Sequence, residues 1–250
     1  MTSDYEYILE YLAQQNHILV GGTTGSGKSV FINTLLLYLL KKSTNHAKAV
    51  NFYLIDPKKV DLQKYKHCKQ TKAYACTDEQ ILQALRSCVK SMNLAYKMLQ
   101  FCGKEKAENS PHSYIVIDEF ADLMLSPHNK EIVQLVQRLT QLGRACNYHV
   151  ILATQRPTRD VISGKIKTNL DTVLALHTAD EQESRNLIRC PDSHYLPLYG
   201  EAILRCSLGQ DTINISPQIL EEQTSIIANN LTWYGKQIAS VRQKLVSLLA

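Results

Sequence analysis

The sequence has no long apolar run. Its greasiest stretch, Val30 to Leu40, is eleven residues long and contains Asn33 and Thr34, whereas a helix crossing a bilayer needs about 20 apolar residues in a row. No membrane span is expected. Paired cysteines are also missing: Cys68, Cys76, Cys88, Cys102, Cys146, Cys190 and Cys206 are odd in number, widely spaced and free of any C-x-x-C pair. That argues against a disulfide framework and a zinc site, and they read as small buried hydrophobes. Neither sign of charge dominates, since 28 Lys and Arg stand against 23 Asp and Glu for a net +5. Such a balance permits a polyanionic partner without demanding one. Only 10 Gly and 7 Pro occur in 250 residues that are 44% hydrophobic, which excludes collagen-like, low-complexity and disordered chains. The opening residues Met1-Thr2-Ser3-Asp4-Tyr5-Glu6 are acidic and lead into no apolar core. No secretory leader and a cytoplasmic location are therefore expected.

What remains is a globular chain long enough to bury roughly 70 to 75% of its unfolded surface. There is no internal repeat. Short apolar runs at His17 to Val20, Val50 to Ile55, Tyr114 to Ile117, His149 to Thr154 and Thr172 to Leu176 predict strands. Helices are predicted over Lys28 to Lys42, from Thr77 to Gly103, and over Lys130 to Gly143. The first is apolar on nearly every side, so it must be packed on most faces. In the second, Thr77 and Gln80 form a capping box, Ile81, Leu85, Cys88, Met92, Ala95 and Leu99 mark one buried face, and Gly103 closes the helix. Strands alternating with helices imply parallel βαβ units, an α/β fold with a largely parallel sheet covered on both faces. From about Gln218 the chain turns helical again, with Ile227, Leu231, Tyr234, Ile238, Val241, Leu245 and Leu248 in a seven-residue repeat. We read this stripe as packing, and divide the chain into a motor-sized domain over residues 1–216 and a helical extension over 217–250.

Gly22-Thr23-Thr24-Gly25-Ser26-Gly27-Lys28-Ser29 fits G-x-x-x-x-G-K-[ST] and stands between a buried strand and the first turn of a helix. Glycines let the backbone wrap closely, so that successive N–H groups and the positive helix terminus, with Val30 in its first turn, hold a triphosphate. Lys28 would reach the β and γ phosphates, and Ser29 would give its hydroxyl oxygen to Mg²⁺. The strand Tyr114 to Ile117 runs into Asp118-Glu119. Asp118 is expected at the Mg²⁺ shell and Glu119 as the base that orients and deprotonates water. A second carboxylate favours ATPases that insert another strand between the phosphate-loop strand and the acidic one. His149 to Thr154 suits that place, and Gln155 at its end would sense the γ phosphate. Arg156, Arg159, Lys165 and Lys167 face the single acid Asp160 within twelve residues, in a stretch where Pro157 and Gly164 argue for loop. Phosphate backbone is their natural partner. Lys58-Lys59 read more readily as solvated charge.

With these residues placed, Asn16 to Leu204 resembles the motor domain of the FtsK/SpoIIIE family. The likeness rests on the phosphate loop, on Leu54-Ile55-Asp56-Pro57-Lys58 with Leu62 and Tyr65, on Ile117-Asp118-Glu119-Phe120-Ala121-Asp122-Leu123-Met124, and on Arg144-Ala145 leading into Leu152-Ala153-Thr154-Gln155-Arg156-Pro157. Asp160-Val161-Ile162 and Gly164-Lys165-Ile166-Lys167 follow in the same order. The resemblance implies a RecA-like P-loop NTPase fold, six subunits in a homo-hexameric ring, ATP and Mg²⁺ at subunit boundaries, and double-stranded DNA drawn through the channel. It also implies that Arg144 is an arginine finger for the neighbour's nucleotide, and that Arg156 and Lys167 lie on channel loops.

The sequence departs from the family at Cys190-Pro191-Asp192-Ser193-His194-Tyr195-Leu196-Pro197, where the family has a Gly-rich acidic segment, so base-pocket residues do not transfer. No membrane region, linker or winged-helix module fits in the chain. A minimal motor is expected, serving DNA transfer, replication or packaging of a mobile element or virus, with a relaxase or replication protein as a further partner. Two other readings stay open: a nucleotide-controlled coupling or recruitment factor for a relaxase, replication protein or secretion channel, and a ring helicase on single-stranded DNA.

Overall fold

A computed structural model of the chain describes residues 4–45, 49–108, 110–215 and 223–231. In chain order these residues form α1 (Asp4–Ala13), β1 (His17–Gly21), α2 (Lys28–Asn45), β2 (Val50–Ile55), β3 (Thr71–Ala75), α3 (Asp78–Phe101), β4 (His112–Ile117), α4 (Phe120–Leu123), α5 (Asn129–Leu142), β5 (Tyr148–Thr154), α6 (Gly164–Lys167), β6 (Thr172–Ala175), α7 (Glu181–Ile188), β7 (Glu201–Cys206), β8 (Gly209–Asn214) and α8 (Gln223–Asn230). The strands make one sheet in the order β3-β2-β4-β5-β1-β6-β7-β8. Pairing is parallel from β3 to β6 and antiparallel through β7 and β8.

Every strand of the parallel part carries its site-bearing loop at the same edge, because parallel strands separated by helices bring all their carboxyl ends together. The alternation of side chains then splits the core in two. Ile18, Val20, Tyr114, Val116, Ile151 and Ala153 face one layer with Tyr5, Leu9 and Leu12 of α1 and the apolar residues of α2. Leu19, Ile115, Ile117, Val150 and Leu152 face the other, with Ile81, Leu85 and Met92 of α3 and Ile132, Val136 and Leu139 of α5. Phe31 to Leu40 are buried without exception, which explains why α2 has no polar face. The cap of α3 is present in altered form: Thr77 accepts the Gln80 N–H at 3.4 Å, while the Gln80 carboxamide reaches back one residue further, to the Cys76 N–H at 3.2 Å.

Several elements differ from the sequence reading. α1 went unread, although Tyr5, Leu9 and Leu12 recur at helical spacing and are buried. β3 is an edge strand that buries only its last residue fully, so the apolar alternation was too faint to mark it. The stretch expected as loop around Gly164 contains the one-turn helix α6. Only Cys68, Cys88 and Cys146 are buried; Cys76, Cys190 and Cys206 are half-buried and Cys102 is exposed, because a small side chain is tolerated at a helix end as readily as in a core. Of the terminal stripe, α8 packs on α2 and is tied down by Asn230, whose backbone oxygen accepts the Lys69 N–H and whose side-chain oxygen accepts Gln70 Nε2, both at 2.7 Å. Tyr234, Ile238, Val241, Leu245 and Leu248 lie outside the described residues. No described helix is long and apolar enough to cross a membrane.

Candidate active site

The turn from β1 into α2 is the phosphate loop, and its shape depends on residues without side chains. Gly25 and Gly27 hold φ of 80° and 97°, a region that disfavours any Cβ. At Gly22 a Cβ would stand 2.7 Å from Ser26 Oγ and 2.9 Å from Leu176 Cβ. The loop is anchored across the sheet by the Thr23 N–H, which donates to the His177 carbonyl at 2.8 Å. Lys28 is buried and folds its ammonium back on the Gly22 and Thr23 carbonyls at 2.6 and 2.7 Å. Burial pulls its pKa down to about 8, an effect that Glu119 and Asp118 oppose.

β5 lies between β1 and β4, the insertion expected of a glutamate-dependent ATPase. This places Gln155, which follows β5, beside Glu119, which follows β4. The Gln155 N–H donates to both Glu119 carboxylate oxygens, at 3.1 and 3.2 Å. Its side-chain oxygen accepts the Thr24 hydroxyl of the phosphate loop at 2.7 Å. Glu119 also caps α4 through the Ala121 N–H at 3.3 Å. Asp118 stands next to it, its pKa pushed up to about 7 by burial first and then by the negative charges of Asp61 and Asp56.

One cleft of about 310 Å³ is lined by Thr24, Gly25, Gly27, Lys28, Ser29 and Val30 of the phosphate loop together with Asp118, Glu119 and Gln155. All of these were among the residues that the sequence reading expected at a shared site. It missed two residues that line the same cleft, Lys58 and Asp61. Lys58 reaches Asp122 at 3.6 Å and Glu119 at 4.0 Å, so it belongs to the cleft rather than to a solvated run. Asp61 accepts the Ser29 hydroxyl at 2.9 Å. Nothing in local spacing distinguishes Asp61, but Asp56, an acid buried completely at the end of β2, was a signal that the loop behind it is built to a purpose.

The donor set suits a magnesium nucleotide. Ser29 and Asp118 offer oxygen only, as a hard cation requires, and Ser26 Oγ is buried within the phosphate loop with no partner among the described residues. The other predicted residues lie elsewhere. Arg144 is exposed on the single 3-10 turn before β5, at the amino-terminal edge of the sheet, separated from its own cleft by the length of β5, about 20 Å at roughly 3.3 Å per residue. Arg156, Arg159 and Lys165 are exposed, whereas Lys167 is half-buried and gives its ammonium to the Asn186 carbonyl. Burial first, and then Arg205, Arg189 and Arg159, lower the Lys167 pKa.

The FtsK/SpoIIIE family model matches residues 1–115 and 104–159. A DNA translocase FtsK of Chlorobaculum tepidum is 38% identical over 202 residues, covering 73% of this chain and 25% of the relative. That of Vibrio vulnificus is 35% identical over 219 residues, covering 73% and 22%. The chain thus spans about a quarter of the length of the curated relatives it matches. Among solved structures, the pCW3 conjugation coupling protein TcpA, in a monomer form with ATPγS, superposes with a TM-score of 0.70 at 24% identity over 84% of this chain and 65% of that one. The cytoplasmic domain of the Thermomonospora curvata type VII secretion ATPase EccC gives 0.68 at 24% identity, over 81% and 25%. These structures show the fold to be RecA-like, and the sequence matches, taken with the phosphate loop and the twin acids, show that the chain belongs to the FtsK/SpoIIIE family.

Proposed function

We propose that the chain is an ATP-hydrolysing motor that moves along double-stranded DNA as a homo-hexameric ring in the cytoplasm. The observation that carries this reading is the double engagement of Gln155. Its N–H holds Glu119, its side chain holds the phosphate loop, and the chain then runs directly into Arg156 and Arg159, both exposed. Nucleotide chemistry and a basic surface are therefore one peptide apart.

In this reading Lys28 leaves the Gly22 and Thr23 carbonyls for the β and γ phosphates, a stronger partner for a desolvated ammonium. Mg²⁺, when bound, neutralises charge on those phosphates; Ser29 and Asp118 would hold it. Glu119 orients and deprotonates the attacking water, fixed in position by two backbone N–H groups rather than by a flexible side chain. Arg144 cannot reach its own cleft, and its place at the opposite edge of the sheet supports a role at the nucleotide of a neighbouring subunit. Arg156, Arg159 and Lys165 would meet the DNA backbone, with contacts indifferent to base sequence and weakened by salt; Lys167 would support that loop through Asn186. The service of a mobile element or virus, with a relaxase or replication protein as partner, belongs to the same proposal.

The test is steady-state ATPase activity with and without long duplex DNA at low salt. Several-fold stimulation by duplex is expected, greater than by single strands. Equal rates in all three conditions would overturn the motor, and stimulation by single strands alone would favour a helicase.

A further inference from the structure

Asp61 sits in a loop with no regular structure, yet its position is closely fixed. After β2 the chain meets Asp56, which is buried completely and accepts the Tyr74 hydroxyl at 3.1 Å. The two Asp56 carboxylate oxygens then take the N–H groups on either side of Asp61: Val60 at 3.4 Å and Leu62 at 3.1 Å. Lys59 adopts a left-handed φ of 59° to make the turn, and Leu62 is fully buried behind it. The outcome is one side chain presented to the phosphate loop, where Asp61 Oδ2 accepts the Ser29 hydroxyl at 2.9 Å.

A serine hydroxyl has one proton and two lone pairs. To serve a cation it must offer a lone pair, and its proton must go elsewhere. A carboxylate that takes the proton fixes the rotor with its lone pairs turned away from that carboxylate. Ser29 and Asp118 line the same cleft. We propose that Asp61 is a positioning residue for the divalent cation of this site, acting through Ser29, and that Asp56 is the clamp that holds it there. The proposal rests on the ATPase reading and names a further residue of that same site. Partners of metal ligands set ligand orientation and basicity, and their loss typically weakens metal binding about 10- to 100-fold.

The experiment measures Mn²⁺ binding to the full chain saturated with ADP, from the loss of the free-ion electron paramagnetic resonance signal, with nucleotide affinity measured separately in EDTA. Asp61→Asn is expected to weaken Mn²⁺ about tenfold while leaving metal-free ADP affinity and the thermal melt unchanged, and Asp61→Glu to recover part of the loss. In a Ser29→Ala background the same Asp61→Asn change should add less than about twofold, because the relay is already broken. Wild-type Mn²⁺ affinity in Asp61→Asn overturns the proposal. So does a full second loss in the Ser29→Ala background, which would make Asp61 a direct ligand. If the unaltered chain holds no Mn²⁺ beyond what free ADP holds, the nucleotide-site reading itself fails, an outcome distinct from either.

Discussion

The two edges of the parallel sheet are built from opposite materials. At the carboxyl edge, Lys28, Lys58, Asp61, Asp118 and Glu119 crowd one open cleft. The amino edge holds a group of buried and half-buried histidines. His112, His149 and Tyr114 lie with ring centroids 5.0 and 4.7 Å apart in nearly parallel planes. His149 gives one ring proton to the Gln15 carbonyl at 2.7 Å, so its other nitrogen must accept from His112 at 2.9 Å. His17 accepts the Val150 N–H at 3.1 Å. The edges differ in what they present: one leaves charges facing a space a ligand can enter, the other sets buried histidines against backbone groups and one another. Connectivity explains the difference, since the loops free to vary follow the carboxyl ends of parallel strands.

Arg144 is an exposed charge at the amino edge, and removing it is the strongest way to break the contrast. Arg144→Ala should lower DNA-stimulated turnover by about 10³ to 10⁵ with nucleotide binding intact, as measured by steady-state rates beside equilibrium nucleotide titration. Glu119→Gln at the other edge should cost about 10² to 10⁴ in turnover. Mixing the two inactive variants provides the sharper test. If one edge completes its neighbour's opposite edge, mixed rings contain some intact sites and recover activity; no recovery at any ratio would confine each edge to its own subunit.

Legibility in the sequence follows the same divide. The phosphate loop, Asp118, Glu119 and Gln155 could be placed because each follows an apolar strand, and a strand fixes where its next residues emerge. The insertion of β5 between β1 and β4 was likewise legible, from the presence of the second acid. Asp61 and Lys58 could not be placed by pattern. They lie in a coil shaped by the buried carboxylate of Asp56, and such tertiary hydrogen bonds leave no periodicity. Lys167 shows the same limit from the other side, a cation in a basic run whose ammonium meets the Asn186 carbonyl, a contact no pattern announces.

The histidine edge makes a prediction about pH. Burial, reinforced by the charge of His149, lowers the pKa of His17 to about 3. Burial also lowers that of His149 to about 4, with the Gln15 carbonyl opposing and His112 assisting. Both folded values lie below the unfolded value near 6.5, so the unfolded chain takes up protons that the folded chain refuses. Stability contributed by these groups is therefore present above about pH 6.5 and lost as pH falls toward 4. Between pH 7 and pH 5 the pair should cost about 4 kcal/mol, seen as a falling urea midpoint. His149→Phe, which keeps a stacked ring without a titrating nitrogen, should halve that slope; an unchanged slope would place the acid sensitivity elsewhere.

The smallest expected effect concerns Lys58 and tests whether charge at the carboxyl edge serves the fold or the chemistry. Its contacts to Asp122 and Glu119, at 3.6 and 4.0 Å, are long for ion pairs, and its side chain is 43% exposed. Pairs of this kind contribute about 0.2 to 1 kcal/mol to stability, so Lys58→Ala should move the melting temperature by only a few degrees. Turnover should nevertheless fall several-fold, because Glu119 is almost wholly buried, its hydrogen-bond partners are backbone N–H groups, and Lys28 alone would be left to balance its charge in the cleft. Lys58→Arg should recover most of the loss, and Asp122→Ala should leave turnover close to that of the unaltered chain, since Asp122 touches Lys58 from outside the cleft. A large drop in melting temperature with unchanged turnover would assign Lys58 to the fold. A loss of turnover equal to that of Glu119→Gln would instead move it among the groups that touch the phosphates, and the charge at this edge would then be part of the chemistry rather than its support.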